Sequence, residues 1–450
     1  MYTQACSSVV FPLHERLKGH RSVALRKELE RTQWMDAVAL ERLRLARLKD
    51  FLLEASISVP YYRRLFERVG FEPRQISSIA DLARLPLLSK ALIRENVEAL
   101  KSESAGTLVR YNTGGSTGEP LVFYMGMERI SHDVAAKWRA TRWWGVDIGD
   151  PEIVLWGSPI ELGAQDRLRS IRDRVFRSRL LPAFDMSERR MDEFLQVILR
   201  IKPRMLFGYA SALSRLAQHA VSRGIAMGGA GIRVIFTTGE TLYPQQRRVL
   251  EEVFQAPVAN GYGSRDAGFI AHQCPAGSLH LSAEHLIVEL VDDDGTPVPV
   301  GTMGEVVVTH LATRDFPFIR YRTGDMAVLG TARCACGRSL PVLEAVYGRS
   351  TDFIRTPAGG AMHALALIYE VRGRAGVHAF KFLQAEDFSI ELQLAAGPEL
   401  TPAAEREMLT SLEHRLGPGV PIRINRLAQI PMENSGKYRY VVSRAGERPA

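Results

Sequence analysis

The sequence predicts a mixed α/β fold, and three observations support this prediction. Between residues 111 and 348, apolar stretches such as 152–156 alternate with helical patterns such as 191–201, which is typical of strands buried between helices. The segments 285–290 and 304–309 are apolar and flank a turn, so they predict an antiparallel hairpin subdomain. The roughly one hundred residues after 349 show a further pattern of strands and a helix, which predicts a smaller domain.

The N-terminal part of the chain predicts a helical layer, and the C-terminal part predicts a separate small domain. Residues 23–53 have leucines spaced among charged residues, and this pattern predicts a largely amphipathic, N-terminal helical layer. The C-terminal part predicts a small α+β domain. It shows, in order, two strands, a helix and a further strand at 379–383, 389–394, 402–416 and 422–427.

The composition is that of an ordinary globular protein. The chain has 450 residues, of which 46% are hydrophobic and 24% charged. No apolar stretch approaches the length of a membrane span, so we expect a cytoplasmic protein without membrane insertion. The four cysteines, Cys6, Cys274, Cys334 and Cys336, are too few for a disulfide framework.

The net charge of +8 and the arginines of residues 167–179 raise the question of nucleic-acid binding. In residues 166–176, however, the apolar residues fall at helical spacing, which favours a solvated basic helix face. We therefore expect no nucleic-acid partner. A basic rim would also attract a nucleotide or an acidic small molecule.

A run rich in glycine, serine and threonine resembles a phosphate cradle. Its glycines free the backbone to turn N–H groups toward one point, and its hydroxyls add donors. The residues are Thr113, Gly114, Gly115, Ser116, Thr117 and Gly118. No lysine follows Gly118, so a Walker loop is excluded and a separate lysine is needed. By composition alone, a flexible surface turn is an equal alternative.

Several further motifs occur in a fixed order along nearly the whole chain. They lie at 11–15, 59–62, 113–118, 237–240, 260–266, 321–325, 348–349 and 434–437. In this order the chain resembles adenylate-forming acyl ligases, with most likeness to the phenylacetate–CoA ligase branch and its capsule-biosynthesis relatives. The resemblance implies the adenylate-forming enzyme fold, with an AMP-binding domain at 1–348 and a small mobile lid at 349–450.

The resemblance also implies catalytic roles. Lys437, in the Asn-Ser-Gly-Lys segment of the lid, would serve adenylation by bringing a point charge to the α-phosphate. Asp266 stands where the family usually carries a glutamate for Mg²⁺, and a carboxylate is a suitable ligand. A turn cap is the structural alternative for Asp266.

Other residues are implied in binding the nucleotide. Tyr262 would stack on adenine, although ordinary packing is an alternative for this ring. Asp325 would accept hydrogen bonds from the ribose hydroxyls, and Arg349 would donate to the ribose or a phosphate. The loops lining the purine would contain Gly239, Glu240 and Gly263.

The sequence indicates fewer residues for the acid-binding pocket than for the nucleotide site. Tyr209 lies in a segment that matches the acyl side of relatives, and we expect Trp156, the last residue of the predicted strand at 152–156, to lie nearby. Aromatic walls suit an aryl carboxylate, but such rings are as often plain core.

Cys274, His280, Cys334 and Cys336 predict a structural zinc site, because thiolate and imidazole are the ligands that zinc prefers. Thiols that never meet are the alternative, and His272 competes as a ligand.

The function that the resemblance implies is AMP-forming ligation of a carboxylic acid. ATP, Mg²⁺ and CoA would be used, with structural Zn²⁺. An amine or amino-sugar acceptor in place of CoA stays open, as does a catalytically silent binding protein. The sequence identifies neither the acid nor the oligomeric state.

Overall fold

We analysed a computed structural model of the chain. It describes residues 1–113, 121–157, 167–183, 185–349, 353–355, 361–372, 374–417, 420–430 and 439–445. The chain divides into two compact units, the first comprising 1–323 with 327–346 and the second 324–326 with 347–450. Whether they act as an AMP-binding domain and a mobile lid stays a prediction.

The first unit is rich in helices. In its described residues these are α1 (Tyr2–Ala5), α2 (Phe11–Leu17), α3 (Ser22–Thr32), α4 (Ala37–Ser58), α5 (Pro60–Val69), α6 (Lys90–Glu95), α7 (Met127–Trp143), α8 (Arg167–Val175), α9 (Glu188–Ile201), α10 (Ala210–Ser222) and α11 (Pro244–Phe254). A π-helical turn, Cys6–Val10, joins α1 to α2, and 3₁₀ turns occupy Pro73–Gln75, Ile79–Arg84 and Gly228–Ala230.

The predicted N-terminal helical layer is present and consists of two helices. Within residues 23–53, α3 ends at Thr32 and α4 begins at Ala37. The side chain of Asp36 accepts a hydrogen bond from the Ala39 amide at 2.8 Å, and this N-cap starts the new helix. Leucine spacing alone did not show the interruption.

A two-stranded hairpin and a large sheet complete this part of the fold. The hairpin pairs β1 (Val109–Asn112) with β2 (Val122–Met125). The sheet contains β3 (Glu152–Trp156), β4 (Ser178–Pro182), β5 (Met205–Gly208), β6 (Val234–Thr238), β7 (Val258–Ser264), β8 (Gly268–Gln273), β9 (Leu279–Leu281), β10 (Leu286–Val291), β11 (Met303–His310), β12 (Tyr321–Leu329) and β13 (Val342–Arg349). These eleven strands follow the order β10-β11-β12-β13-β9-β8-β7-β6-β5-β3-β4.

The sheet has a parallel and an antiparallel half. Strands β4, β3, β5, β6 and β7 run parallel to one another. Helix α8 lies between β3 and β4 in the chain, and α9, α10 and α11 precede β5, β6 and β7. Strands β7, β8 and β9 pair antiparallel. The predicted hairpin is present as β10 and β11, with Val288 opposite Val308, but it forms the edge of the large sheet rather than a separate subdomain.

The second unit is a small α+β structure. Its elements are β14 (Phe353–Arg355), β15 (Ala361–His363), α12 (Leu365–Arg372), β16 (Val377–Gln384), β17 (Ile390–Ala396), α13 (Pro402–Leu416), β18 (Ile422–Arg426) and β19 (Val441–Ser443). Strands β16 to β19 form one sheet in the order β18-β17-β16-β19, and β14 pairs with β15. The mixed α/β fold class is confirmed.

The 59–62 motif anchors α5 to the core of the first unit. Pro60 begins the helix, where its missing N–H costs nothing. Tyr62 is fully buried, donates a hydrogen bond to the Pro317 carbonyl at 3.0 Å and accepts one from the Ile319 amide at 3.1 Å.

Among the described residues, no helix combines the length and the apolar character that crossing a bilayer requires.

Candidate active site

The carboxyl ends of the parallel strands bring together two predicted pocket residues. Trp156 ends β3 and Tyr209 follows β5, and their rings stack with centroids 4.1 Å apart and planes 26° apart. Tyr209 is buried, whereas Trp156 is half-buried and leaves part of its ring accessible. Ligands of open α/β sheets bind at this end of the strands.

Gly239 and Glu240, which follow β6, lie against the same rings. Gly239 has φ +80°, and a Cβ added there would be 3.2 Å from Tyr209 Cε1 and 3.3 Å from Trp156 Cη2. The Glu240 carboxylate accepts a hydrogen bond of 2.9 Å from the Ser211 amide in the first turn of α10. The positive end of a helix favours such a carboxylate, so the loop after β6 is fixed to the start of α10.

Tyr262 and Gly263 lie on β7, the next strand of the sheet. Tyr262 is half-buried and packs against the main hydrophobic core. Gly263 has no room for a side chain, because a Cβ would come within 2.2 Å of the Gly268 carbonyl oxygen. The glycine therefore permits β7 and β8 to approach closely at the point where their register shifts.

Asp266 lies in the tight turn from β7 to β8 and is only 6% exposed. Its carboxylate accepts hydrogen bonds from the hydroxyls of Ser264 and Tyr321. Burial alone would raise the pKa of Asp266, but the charge of Lys90 and these two hydrogen bonds outweigh it and lower the pKa. The carboxylate is thus ionised, as a magnesium ligand must be, while its oxygens already serve internal donors.

The described end of the glycine-rich segment lies close to this turn. The Thr113 amide donates to the Leu121 carbonyl at 3.0 Å, and Thr113 Oγ1 accepts from the Leu121 amide at 2.9 Å. Arg265 donates to the Asn112 carbonyl at 3.1 Å. Residues 113 and 121 therefore close the β1–β2 hairpin beside the turn of Asp266. Gly114, Gly115, Ser116, Thr117 and Gly118 lie outside the described residues.

The three remaining predicted residues fall in the residue ranges of the second compact unit. Asp325 lies half-buried within β12. Arg349 is the last residue of β13, and its side chain is outside the described part of the structure. Lys437 lies outside the described residues altogether.

The structure shows one positioning residue that the sequence did not suggest. Arg129 on α7 is fully buried and donates to the carbonyls of Asp266 at 3.4 Å and Arg265 at 3.3 Å. Its guanidinium is paired with Asp133 at 3.1 Å. An arginine in a helix normally indicates a solvent-facing position, so no sequence signal marked Arg129 as support for the turn of Asp266.

The predicted zinc ligands form a compact group. Cys274 Sγ and Cys334 Sγ are 3.6 Å apart, and Cys336 Sγ is 3.3 Å from His280 Nε2. All four ligand atoms lie within 4.8 Å of one another. A tetrahedral zinc ion separates two sulfurs by about 3.8 Å and a sulfur from a nitrogen by about 3.5 Å, so the donor set fits zinc.

Strand pairing explains how these distant residues meet. Cys274 follows β8, and His280 lies on β9, whose partner opposite His280 is Val342 of β13. Residues 334–337 lead into β13 and so reach His280. The Nδ1 atom of His280 is 3.1 Å from the Leu340 carbonyl oxygen, which leaves Nε2 toward the thiols. His272, the competing ligand, packs between Phe236 and Phe269 and is not in the group.

Comparison with known proteins matches both parts of the chain. A family model described as AMP-binding enzyme matches residues 177–312, and one described as CapK C-terminal domain matches residues 354–444. Protein CapK of Staphylococcus aureus is 22% identical over 408 residues, 88% of each chain. The phenylacetate-coenzyme A ligase of Thermus thermophilus is 25% identical over 327 residues, 70% of this chain and 71% of its own.

Solved structures show the same fold. A 2-hydroxyisobutyryl-CoA ligase in its postadenylation state superposes with a TM-score of 0.74 at 20% identity, covering 92% of this chain and 91% of its own. Fold and family matches together define an adenylate-forming enzyme, an AMP-forming ligase. The matched models and relatives make the chain similar to the phenylacetate–CoA ligase-like branch of these enzymes and to CapK.

Proposed function

We propose that the chain joins an aryl carboxylic acid to CoA in two steps. The acid's carboxylate oxygen attacks the α-phosphorus of ATP, so that pyrophosphate leaves and an acyl-adenylate forms. The thiol sulfur of CoA then attacks the acyl carbon, AMP leaves and a thioester forms. The observation that carries the proposal is the stacked pair Trp156 and Tyr209 against Gly239 at the carboxyl ends of parallel strands.

The substrate class follows from the chemistry of that pair. A half-buried indole beside a buried phenol offers an aromatic wall, and such walls favour aryl groups through ring packing. Four relatives carry the name phenylacetate-coenzyme A ligase. That name specifies an aryl-substituted acid and CoA as the acceptor, which agrees with this proposal.

The first step needs charge neutralisation and alignment rather than covalent help. Amides and hydroxyls of residues 113–118 would hold the outer phosphates, and Lys437 would place its ammonium beside the α-phosphate and the attacking carboxylate. Asp266 would hold Mg²⁺, which neutralises phosphate charge when bound. Arg129 would keep the backbone of the Asp266 turn in position through its two carbonyl contacts.

The adenosine would be held by residues in the loop after β6 and on β7, together with Asp325 and Arg349. Tyr262 would stack on adenine, with Gly239, Glu240 and Gly263 lining the purine. Asp325 would accept from the ribose hydroxyls and Arg349 would donate there or to a phosphate. The link of Glu240 to the Ser211 amide supports this by fixing the loop after β6.

We further propose a closed, structural zinc site at Cys274, His280, Cys334 and Cys336. Four protein ligands leave no open coordination position, so this ion would tie loops together rather than catalyse.

A second candidate function has its own support. Residues 354–444 match the CapK C-terminal domain, and the CapK relative covers more of the chain than the ligase relatives do. In this second candidate an amine, such as an amino sugar, accepts the acyl group instead of CoA, which gives an amide and AMP.

The test is pyrophosphate release from ATP with a panel of aryl and aliphatic acids, followed by separate addition of CoA and amines. We expect release with aryl acids and acyl-CoA as the product. Lys437→Ala should lower the release rate about 100-fold, as loss of one charge-stabilising group does. Lys49→Ala, a change on helix α4 at a residue with no predicted role in the site, should leave it unchanged.

Two results would contradict the proposal in different ways. Absence of release with every acid would reject adenylation itself. Release followed by an amide but no thioester would reject CoA and favour the second candidate.

A further inference from the structure

The N-terminal helical segment exposes an unusual row of aliphatic side chains. Val9, Leu13 and Leu17 are spaced by four residues and are 64%, 58% and 80% exposed. This spacing places them on one helix face. Phe11 and Glu15, on the other face of the segment, are buried. The helix therefore packs on the protein through one side and presents aliphatic side chains to solvent on the other.

Helix α8, which packs beside this segment, also exposes aliphatic side chains. Ile171 is 61% exposed and Val175 37%. The two helical segments are in contact, because the Tyr2 hydroxyl donates to the Val175 carbonyl at 2.6 Å and the rings of Phe11 and Phe176 lie 5.5 Å apart. We call the surface formed by Val9, Val10, Leu13, Leu17, Ile171 and Val175 the N-terminal patch.

Basic side chains accompany the N-terminal patch. Residues 1–20 and 171–179 contain the cations Arg16, Lys18, Arg172, Arg174, Arg177 and Arg179. The carboxylates in these ranges are both engaged. Glu15 is buried and accepts a hydrogen bond from Ser22, and Asp173 accepts one of 2.9 Å from Arg172. The two segments that carry the patch thus combine exposed aliphatic side chains with an excess of positively charged residues.

We propose that the N-terminal patch docks the enzyme on the surface of an anionic lipid bilayer. Exposed aliphatic side chains on a helix with arginine and lysine beside them are the composition of an interfacial helix, which lies in the headgroup region without crossing the membrane. The aliphatic side chains would enter the acyl boundary while the cations meet lipid phosphates.

Other occupants fit the patch less well. A second copy related by a two-fold axis would oppose the same cations, such as Arg16 and Lys18, to one another. A nucleic acid would meet the cations but would leave the leucines and valines against phosphates. The anionic bilayer satisfies both the charge and the aliphatic side chains. This inference does not depend on the acid or the acceptor of the reaction.

The test is co-sedimentation of the purified full chain with vesicles. One set contains phosphatidylcholine with about one third phosphatidylglycerol, and the other contains phosphatidylcholine alone. We expect binding to the anionic vesicles, weakened by salt, and little binding to the neutral ones. The double variant Leu13→Ser, Leu17→Ser should bind about tenfold more weakly. Val221→Ser, Val300→Ser changes equally exposed valines outside the patch and should bind normally.

A charge variant and two further measurements decide among the occupants. Arg16→Glu, Lys18→Glu should abolish the preference for anionic vesicles, with urea unfolding unchanged as the check on folding. Equal binding to both vesicle types, or undiminished binding of the leucine variant, would overturn the proposal. So would a dimer in sedimentation velocity that the leucine variant dissociates, or binding to DNA that only the charge variant loses.

Discussion

Gly239 shows how a single backbone conformation shapes the candidate acid pocket. Its φ of +80° is a backbone conformation that residues with a side chain rarely adopt. A Cβ added there would also lie within 3.3 Å of two rings, so the site has little room for a side chain. We predict that Gly239→Ala costs about 1 kcal/mol of stability and lowers kcat/KM for the acid about tenfold. Urea unfolding and pyrophosphate release measure the two effects.

Gly224 provides the matched control for this prediction. Its φ of +65° imposes the same backbone strain, but nothing lies within 4 Å of an added Cβ. Gly224→Ala should therefore lose similar stability and retain full activity. If both variants lost activity equally, crowding of Tyr209 and Trp156 would not be the cause.

A buried ion pair makes a second prediction at the residue scale. Arg139 and Glu284 are 1% and 0% exposed and lie 2.5 Å apart. Arg139→Ala leaves a carboxylate buried without its charge partner and should cost about 3–5 kcal/mol in urea unfolding. The exposed pair of Arg63 and Glu103 is the comparison, since Arg63→Ala should change stability by less than about 1 kcal/mol. Equal costs would show that burial of the pair is not what matters.

At the scale of elements, the zinc group decides how firmly the loop after β8 and the loop before β13 are held. We predict about one equivalent of zinc per chain, from the four-ligand count. Cys334→Ser should lose the metal and lower the midpoint of thermal unfolding by roughly 5 °C or more, because binding energy becomes folding energy. Elemental analysis and thermal unfolding provide the readouts.

Cys6 offers the control for the zinc prediction. It is buried and far from the group in sequence, so Cys6→Ala should keep its full zinc content even if its stability falls. Purified protein without zinc, or Cys334→Ser with zinc retained, would contradict the prediction.

Elements with a clear period were predictable and their interruptions were not. The strand at 152–156 and the helix at 402–416 have the predicted bounds, because alternation and helical spacing are local properties. The break between α3 and α4 depends on the cap of Asp36, and the short strands β14, β15 and β19 lack a period long enough to read. Strand order depends on pairings between distant residues and has no local signal.

At the scale of the whole molecule, buried histidines predict acid lability. His132, His285 and His310 are buried together, with ring centroids of His132 4.8 Å from His285 and 5.0 Å from His310. Burial lowers the pKa of all three. The nearby charges of Arg129 and Arg139 add to the effect on His132, and Asp133 opposes it.

The sign of the pH dependence follows from these pKa shifts. Since the folded histidines stay neutral while unfolded ones bind protons below about pH 6.5, their contribution is complete above that pH and is lost as the pH falls. Each histidine can remove up to about 1.4 kcal/mol of stability per pH unit in that range. Urea unfolding between pH 8 and pH 5 measures the slope.

Variants assign the slope to the cluster. His310→Asn should flatten the slope, whereas His414→Asn, a change of an exposed histidine on α13, should leave it unchanged. An identical slope for His310→Asn and the unaltered chain would place the acid sensitivity elsewhere.

The sequence by itself predicted the fold class, the similarity to adenylate-forming ligases and the set of candidate ligands. Periodicity and short motifs are local properties of the chain, so they can be recognised in a single sequence. It could not place Arg129 or the buried histidines, because charged and titratable side chains normally lie in solvent and only their partners reveal them as interior.

Tertiary structure alone decided which of the named residues meet. The pairing of β9 with β13 brings Cys334 and Cys336 to His280 across more than fifty residues. The parallel order of β3, β5 and β6 brings Trp156, Tyr209 and Gly239 to one edge. Contacts between residues so far apart arise from the packing of whole strands, and for this reason they cannot be read from the local pattern around any single residue.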